Sequence, residues 1–328
     1  MRKNKEIGIK VIAEKTGFSM STVSRALNRC SNISAETTIA VLHAAREIGY
    51  QISTRRKTVA IILPERSKKL SWYSIGLMNA LCEASLEFDY LLDFILADQM
   101  ELLDERMTQG IISFDYASNV AKYVSAHSAL PMICINDTGR SIDGIHSIFS
   151  DNRDAIMQAV NHLVGYGHRK IALFVHDGLV SADSRLRQKA FEDICQLYPL
   201  DPVSMVYCGK HQAPGGGFVP YFYDAILTAK AQGITAIINA GEFAGAEFLH
   251  ALNYCKVKVP EEMSLITWEM PGVSQFLSPP VTTLEQNFPE LARRSFETLA
   301  ELMKDKPPLQ DFCVPYLLHS RSSVALPF

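Results

Sequence analysis

The feature that most constrains this fold is the alternation, from Val59 onward, of short apolar segments with helical ones. We predict nine strands, at "VAIIL", "YLLDFIL", "GIISF", "MICIN", "KIALFV", "MVYC", "AIINA", "SLITW" and "YLLHS". Helical patterns fit between them, for example at Ile75–Glu87, Ala155–Val164, Arg185–Leu197 and Glu242–Tyr254. Short buried strands joined by helices predict an α/β fold with two parallel sheets and right-handed crossovers. Ligands of such sheets bind at the carboxyl ends of the strands.

The first fifty residues follow a different pattern, which predicts short helices. Ile9, Ile12 and Ala13 recur at the i, i+3, i+4 spacing of one helix face, and Gly17 follows as a stop signal. Ser19 is a suitable N-cap for a second helix, because its hydroxyl accepts a hydrogen bond from a free N–H group of the first turn. Two helices joined by the three-residue turn Gly17-Phe18-Ser19 form a helix-turn-helix, whose second helix can enter the major groove of DNA.

A third helix follows the second. Ser34 caps it, Glu36 lies in its first turn, where the helix dipole favours an anion, and Gly49 ends it. Three short helices of this kind need a shared apolar core. We expect that core to contain Val23, Leu27, Leu42 and Ile48.

The second helix has two dissimilar faces. At 100° per residue, Val23, Ala26 and Leu27 share one arc and Met20 lies at its edge. The opposite side carries hydrogen-bonding groups and one cation instead of the usual Glu/Lys mixture: Ser21, Arg25 and Asn28. Taken alone, this stripe fits either a solvated face or a face that contacts a polar partner.

The charge distribution favours the partner. Up to Lys57 there are eleven basic residues against four acidic ones, a balance of +7, and the remainder carries −10 because the whole chain has a net charge of −3. A basic head on an acidic body is typical of nucleic-acid binding, since neutralising phosphates releases counterions. We therefore expect the head alone to contact DNA.

The stretch "IKVIAEKTGFSMSTVSRALN" followed by "ISAETTIAVLHAAREIGY" resembles the head of the LacI/GalR family of bacterial transcription repressors over nearly all of residues 8–50. The resemblance implies that Met20, Ser21 and Arg25 face base edges. It also implies that Thr22, Ser24 and Asn28 hold phosphates. An arginine in the groove suits O6 and N7 of guanine, and serine can serve several bases.

The linker departs from the family pattern. Relatives continue with a Pro-Asn pair and a short hinge helix ending in Ala-Arg-Ser-Leu, whose Leu enters the minor groove, whereas this chain has only "QISTRRKT" before the first strand. Eight extended residues span at most ~28 Å, too little for a linker plus a helix. We expect a shortened or missing hinge helix and a less bent operator. Arg55 and Arg56 either meet phosphates or simply solvate the linker.

These features predict three parts: a helix-turn-helix head at 1–50, a short basic linker at 51–58 and a two-lobed body at 59–328. The body also resembles the family, through "SDNRDAIMQAVNHLVGYGHRKIALF", "VPEEMSLITWE", "PPVTTLEQN" and "HSRSS". A segment near residues 97–110 is shorter than usual. The resemblance implies a type I periplasmic-binding-protein-like effector domain, with a small molecule bound between two lobes.

Six residues are candidates for binding the effector. By position in the family pattern, Arg187 corresponds to the effector-binding Arg of the family. Glu242 takes the place of the Asp in an Asn-Asp pair, and Glu269 takes the place of a further Asp. A forked guanidinium suits vicinal hydroxyls, carboxylates or phosphates, and the carboxylates suit sugar hydroxyls.

Trp72 and Tyr73 take the place of an aromatic pair that stacks on a ring, with core packing as the alternative. Asp151 either binds the ligand or caps the following helix. The effector is expected to be a sugar or nucleoside-like molecule.

Other chemistries lack a motif. The seven cysteines are scattered, with no CxxC pair and no histidine at ligand spacing, so we expect neither metal nor disulfides. "PGGGF" lacks the Lys-Ser/Thr ending of a phosphate loop, and no GxSxG, HExxH or Walker sequence is found. We expect no cofactor and no catalytic residues. The alternatives to an effector-controlled repressor are an enzyme, a ligand-binding module, or a DNA binder without an inducer.

The expected partners are a double-stranded operator of near-palindromic sequence and a second copy of the chain, since a homodimer reads two half-sites. The apolar stretches are far below the ~20 residues that span a bilayer, and "MRKNKEIGIK" has no apolar core segment behind its charges. The sequence therefore predicts a cytoplasmic protein with no membrane contact.

Overall fold

The computed structural model describes residues 2–28, 33–48, 50, 57–65, 72–106, 108–114, 118–126, 130–136, 145–175, 181–198, 200, 203–206, 219–241, 245–269, 272–304, 306 and 311–327. The chain forms two compact units. The first contains Met1–Leu70, Met78–Ile148 and Ala292–Asp311, and the second contains Ser71–Leu77, Phe149–Leu291 and Phe312–Phe328. Each unit is thus assembled from segments that are far apart in sequence.

The head consists of α1 (Arg2–Thr16), α2 (Met20–Leu27) and α3 (Ala35–Glu47). Gly17 ends α1 with a φ of +73°, a left-handed conformation that glycine adopts without strain. The hydroxyls of Ser19 and Ser34 cap α2 and α3, accepting hydrogen bonds from the backbone N–H groups of Thr22 and Thr37 at 3.1 and 3.2 Å. Both caps confirm the prediction from the sequence.

One apolar core joins the three head helices. Of the four residues predicted for it, Val23, Leu27 and Leu42 are buried, and Ile48 is half-buried. An ion pair between Lys15 and Glu47 connects the ends of α1 and α3 at the surface. The full set of buried residues in this core is Ile12, Val23, Ala26, Leu27, Val41, Leu42, Ala44 and Ala45.

The body alternates strands and helices. Its strands are β1 (Lys57–Leu63), β2 (Tyr90–Leu96), β3 (Thr108–Ser113), β4 (Met132–Ile135), β5 (His146–Ser150), β6 (Ile171–Val175), β7 (Val203–Val206), β8 (Ala236–Asn239), β9 (Ser264–Trp268), β10 (Thr282–Glu285), β11 (Phe312–Val314) and β12 (Leu317–His319). Its helices are α4 (Trp72–Glu87), α5 (Ser118–Ala126), α6 (Asn152–Gly165), α7 (Ala182–Leu197), α8 (Val219–Ala231), α9 (Gly245–Tyr254) and α10 (Phe288–Leu302). A 3₁₀ segment, Ala97–Leu103, follows β2.

The strands form two six-stranded sheets, in the orders β11-β5-β4-β3-β1-β2 and β12-β10-β9-β8-β6-β7. In the first sheet, β1 pairs in parallel with both β2 and β3, so that Ile61 lies opposite Phe94 and Ile112. In the second sheet, β6 and β9 pair in parallel with β8. The α/β class and the two sheets confirm the prediction.

The second sheet is not wholly parallel, however. Its edge strand β12 runs antiparallel to β10, with Leu318 opposite Leu284. The sequence analysis also missed β5, β10 and β11. Serine, threonine and histidine residues interrupt the apolar run in β5 and β10, and β11 is only three residues long.

Two helices begin earlier than predicted because their first turns are polar. Helix α6 begins at Asn152 after the cap Asp151, and α7 begins at Ala182 after the cap Ser181. The apolar periodicity starts only about one turn later in each case. Capping residues therefore locate these helix starts better than the first apolar residue does.

His168 is a structural residue. The side chain is buried, and its ring nitrogens lie 2.9 Å from the Thr235 hydroxyl, 3.0 Å from the Ser264 hydroxyl and 2.9 Å from the Ala325 carbonyl. Burial lowers the pKa of the imidazole, although the hydrogen bond to Ala325 acts in the opposite direction.

The head leaves no room for a side chain at Gly8 of α1. A Cβ atom there would lie 2.2 and 2.3 Å from two ring carbons of Tyr50, which packs against the head core. We predict that Gly8→Ala destabilises the head by about 1–3 kcal/mol, because overpacking against Tyr50 outweighs the gain in helix propensity, and that Gly165→Ala leaves the head unchanged. Hydrogen exchange of head peptides measures the effect.

Gly165 is the matched control, since a Cβ atom at this helical glycine meets nothing within 4 Å. If the amides of α1 and α3 exchanged as slowly in Gly8→Ala as in the unaltered chain, the close contact between Tyr50 and Gly8 would be contradicted.

Candidate functional site

Helix α2 presents its polar stripe to solvent. Ser21, Arg25 and Asn28 are exposed, while Val23 and Ala26 on the other side are wholly buried. Met20, which the helical wheel left at the edge of the apolar arc, is 44% exposed and belongs to the outer surface. Burial of one face therefore fixes which side chains α2 can offer to a partner.

The polar groups at the two ends of α2 are partly engaged by the helix itself. The Ser19 hydroxyl lies 2.9 Å from the hydroxyls of both Ser21 and Thr22. At the other end, the Asn28 amide donates to the Ser24 carbonyl at 2.7 Å. These contacts order the start and end of α2, and Thr22 and Ser24 are half-buried.

Arg25 is different, because its guanidinium makes no hydrogen bond or ion pair with another described residue. It stands exposed in the last turn of α2, on the face opposite the head core. A guanidinium is always charged at neutral pH and offers five N–H donors in a planar fork. Such a group suits a bidentate acceptor such as a guanine edge or a phosphate.

A second cluster lies at the carboxyl edge of the second sheet. Arg187, on α7, is only 2% exposed, and its three nitrogens all find acceptors within the protein. Nε donates to Asn152 Oδ1 at 2.7 Å, Nη1 to the Ala240 carbonyl at 3.0 Å and Nη2 to the Tyr316 hydroxyl at 3.2 Å. The guanidinium also lies 4.4 Å from the ring centroid of Trp268, a cation–π contact.

This cluster joins elements that are distant in sequence. The Asn152 side-chain amide donates a hydrogen bond to Asp183 Oδ1 at 2.7 Å. The Trp268 indole N–H lies 3.4 Å from the Tyr316 hydroxyl. Sequence reasoning identified Arg187 but not these partners. Neither Asn152 nor Tyr316 stands in a local pattern that marks a ligand site, since their proximity arises from the fold.

Glu269 follows β9 at the same edge, and its side chain is 6% exposed. Its carboxylate accepts a hydrogen bond from the Thr283 hydroxyl and pairs with the Arg321 guanidinium at 2.7 Å. Arg321 donates in turn to Thr283 at 2.7 Å. Arg321 belongs to the segment "HSRSS", which the sequence analysis noted without giving this arginine a role.

The other candidates have the following positions. Asp151 caps α6, accepting from the N–H groups of Arg153 and Asp154 at 3.0 and 2.9 Å, as one of its two interpretations predicts. Tyr73 packs in a tilted contact on Phe288, with ring centroids 5.8 Å apart. The side chain of Trp72 and all of Glu242, Arg55 and Arg56 lie outside the described residues. Tyr73, Asp151, Arg187 and Glu269 all belong to the second unit.

Among the described residues, no group of histidine, cysteine, aspartate and glutamate side chains is arranged to hold a metal ion. In the same part of the chain, no helix is both long and apolar enough to cross a bilayer.

Two family models match the chain. One, described as bacterial regulatory proteins of the lacI family, matches residues 8–53. The other, described as a periplasmic binding protein-like domain, matches residues 160–324, which is half of the chain. The first match covers the head and the second covers most of the unit that holds Arg187 and Glu269.

Known proteins are similar over nearly their whole length. The HTH-type transcriptional regulator pepR1 of Lactobacillus delbrueckii subsp. lactis is 23% identical, over 97% of this chain and 98% of its own. The crystal structure of the lac repressor dimer bound to operator and the anti-inducer ONPF matches with a TM-score of 0.66 at 20% identity, covering 96% of this chain and 98% of that one. The complex of the transcriptional regulator CelR with cellobiose has a TM-score of 0.65 at 19% identity, covering 96% and 99%. The structural matches establish the fold, and the relatives are regulators, not enzymes.

The contacts of Arg187 lead to a stability prediction. We expect Arg187→Ala to destabilise the second unit by about 2–5 kcal/mol, because it leaves the buried acceptors of Asn152 and Ala240 without a donor. Chemical denaturation followed by tryptophan fluorescence measures the loss, since Trp268 lies against the guanidinium.

Lys189→Ala on the same helix is the matched control. It removes an exposed cation that pairs, among the described residues, with half-buried Asp193 one turn further along α7, so its midpoint should stay within error of the unaltered chain. Equal denaturation midpoints for Arg187→Ala and Lys189→Ala would contradict a stabilising role for the buried hydrogen bonds of Arg187.

Proposed function

The chain belongs to the LacI/GalR family of bacterial transcription regulators, and from this premise we propose which of its residues read DNA and which bind an effector. It is accordingly a DNA-binding transcription regulator with a helix-turn-helix head and a periplasmic-binding-protein-like body. The proposed mode of action is repression, with operator affinity modulated by a small molecule.

The proposed reading surface is the exposed face of α2. Met20, Ser21 and Arg25 face base edges in the major groove, and Thr22, Ser24 and Asn28 hold the flanking phosphates. The observation that carries this proposal is the exposed Arg25 guanidinium, uncommitted to any described residue, opposite a face buried at Val23 and Ala26. Arg55 and Arg56 of the linker add phosphate contacts.

The proposed assembly is a homodimer on a near-palindromic operator, with one head in each half-site. Two copies related by a twofold axis present α2 to two major grooves on the same side of the duplex. The lac repressor, whose fold this chain shares, was crystallised as a dimer on its operator.

The proposed effector site is the carboxyl edge of the second sheet, around Asp151, Arg187 and Glu269. Trp72 and Tyr73 supply flat faces for a ring, and Glu242 supplies a further acceptor. Because Arg187 and Glu269 already have protein partners, the ligand must offer groups that can take the place of those partners. Among the three described acceptors of Arg187, the Tyr316 hydroxyl is the most distant, at 3.2 Å.

A ligand hydroxyl could accept from both Arg187 and the Trp268 indole in place of the Tyr316 hydroxyl, whereas an apolar ligand would leave both donors short of an acceptor. This exchange favours a polyhydroxylated effector, namely a sugar or a nucleoside-like molecule. CelR, which shares the fold, was crystallised with cellobiose. Because Arg187 and Glu269 are already paired within the chain, a second candidate is also supported, a regulator that binds DNA without responding to an inducer.

The DNA-reading proposal predicts the effect of changing Arg25. Arg25→Ala should lower operator affinity by about 5- to 150-fold per half-site, since a bidentate arginine–guanine contact contributes about 1–3 kcal/mol. Selectivity at one base position should relax at the same time. Gel-shift titration against the operator and against random-sequence DNA measures both quantities.

Arg25→Lys is the matched control for charge. It should keep the affinity for random-sequence DNA and lose most of the selectivity, because an ammonium retains the phosphate attraction without the planar fork. An Arg25→Ala protein with undiminished affinity and selectivity would exclude α2 as the reading element.

The effector proposal predicts a sugar or nucleoside among the ligands that bind by calorimetry. For such a ligand, Arg187→Lys should weaken binding at least about tenfold, because a charged, forked hydrogen bond is lost. Lys189→Ala, two positions further along α7, should leave the Kd unchanged.

Two results would count against the effector site: the same Kd in Arg187→Lys, or no binding by any ligand of a panel of sugars and nucleosides. In the second case, an operator affinity that no ligand alters would favour the constitutive DNA binder.

A further inference from the structure

The third helix of the head contacts the α/β part of its own unit directly. The Arg46 guanidinium, near the end of α3, donates through Nη2 to the Leu103 carbonyl and, at 2.7 Å, to the Arg106 carbonyl. These two carbonyls belong to the end of the 3₁₀ segment and the turn that follows it. The contact therefore joins residues 57 and 60 positions apart in the chain.

Asp104 forms the second half of this contact. Its Oδ1 lies 3.7 Å from Arg46 Nη1 and 3.5 Å from His43 Nε2, one turn earlier on α3. Tyr123, on α5, donates to the same oxygen at 3.0 Å and fixes its direction. Burial raises the pKa of Tyr123 to about 12, so its hydroxyl remains a donor at any physiological pH. We refer to His43, Arg46, Leu103, Asp104, Arg106 and Tyr123 as the head clasp.

The position of Arg46 is electrostatically favourable. The last carbonyls of a helical segment carry partial negative charge and lack partners within the helix, so a cation that donates to them acts as a C-terminal cap. Here the cap comes from another part of the chain. The Arg46 side chain is 15% exposed and that of Asp104 is 25% exposed, so water screens this contact less than it screens a surface pair.

The clasp leaves the reading surface open. Its members on α3 are His43 and Arg46, whereas Ser21, Arg25 and Asn28 of α2 are exposed in the same structure. A head held in this way can still present α2 to DNA. The contact is therefore compatible with the DNA-bound state and does not mask the reading surface.

We propose that the head clasp holds the head and the α/β part of the first unit together as one rigid body. Movement of that α/β part then reaches α2 through the clasp instead of through a hinge helix. The linker sequence "QISTRRKT" is too short to supply both a tether and a helix, so the head needs another means of orientation. The part of the proposal that concerns transmission rests on the proposed function. The docking itself does not.

Nitrogen-15 relaxation of the perdeuterated full-length chain without DNA tests the docking. Referenced to the tumbling of the whole molecule, amides of α1, α2 and α3 should show order parameters of about 0.8 or more, as in a rigid backbone. In Asp104→Arg, which places a cation against Arg46 and His43, these values should fall below about 0.6. Asp104 lies outside the head, so this variant leaves the head sequence and its core unchanged.

Arg46→Ala should release the head in the same way. Arg106→Ala is the matched control, because the Arg106 side chain pairs with Asp93 at 3.2 Å within the body and only its backbone carbonyl joins the clasp. Its head order parameters should equal those of the unaltered chain.

Low order parameters for the head in the unaltered chain, or unchanged values in both Asp104→Arg and Arg46→Ala, would overturn the clasp. The first result together with a normal Arg25-dependent operator affinity would remove the clasp and leave the proposed function standing. A rigidly docked head whose operator affinity does not depend on Arg25 would support the clasp and contradict the proposed function of α2.

Discussion

The burial of one apolar face of α2 is the constraint on which the proposed function of this protein depends. Val23, Ala26 and Leu27 are held against α1 and α3, and a short helix fixed in this way has no freedom to rotate about its axis. The side chains that α2 can offer to a partner are thereby determined. The Ser19 cap adds a fixed starting point, and Arg25 is left exposed without a partner among the described residues.

The body applies the same physical rule to buried polar groups. A guanidinium as deeply buried as that of Arg187 is tolerated only because Asn152, Ala240 and Tyr316 accept its hydrogen bonds and Trp268 covers its face. Such a network is sensitive to any ligand that competes for one of its members. This sensitivity makes the carboxyl edge of the second sheet a suitable place for an effector to act.

Local signals in the sequence predicted much of this structure. The caps at Ser19 and Ser34 and the arc of Val23 and Leu27 depend on residues within one or two turns, which is why they could be read directly. The partners of Arg46 and Arg187 could not, because Leu103 and Tyr316 lie 57 and 129 positions away and no local pattern marks them. The antiparallel course of β12 was missed for the same reason, since pairing direction is a property of the sheet.

The most direct test of the central claim is dimethyl sulfate footprinting of the operator, which reports guanine N7 in the major groove and adenine N3 in the minor groove. Helix α2 in the major groove predicts protection of guanine N7 in two half-sites, with the adenine N3 atoms between them left reactive because the chain lacks the family's hinge sequence. Protection confined to adenine N3 at the centre, with every guanine N7 still reactive, would contradict the account.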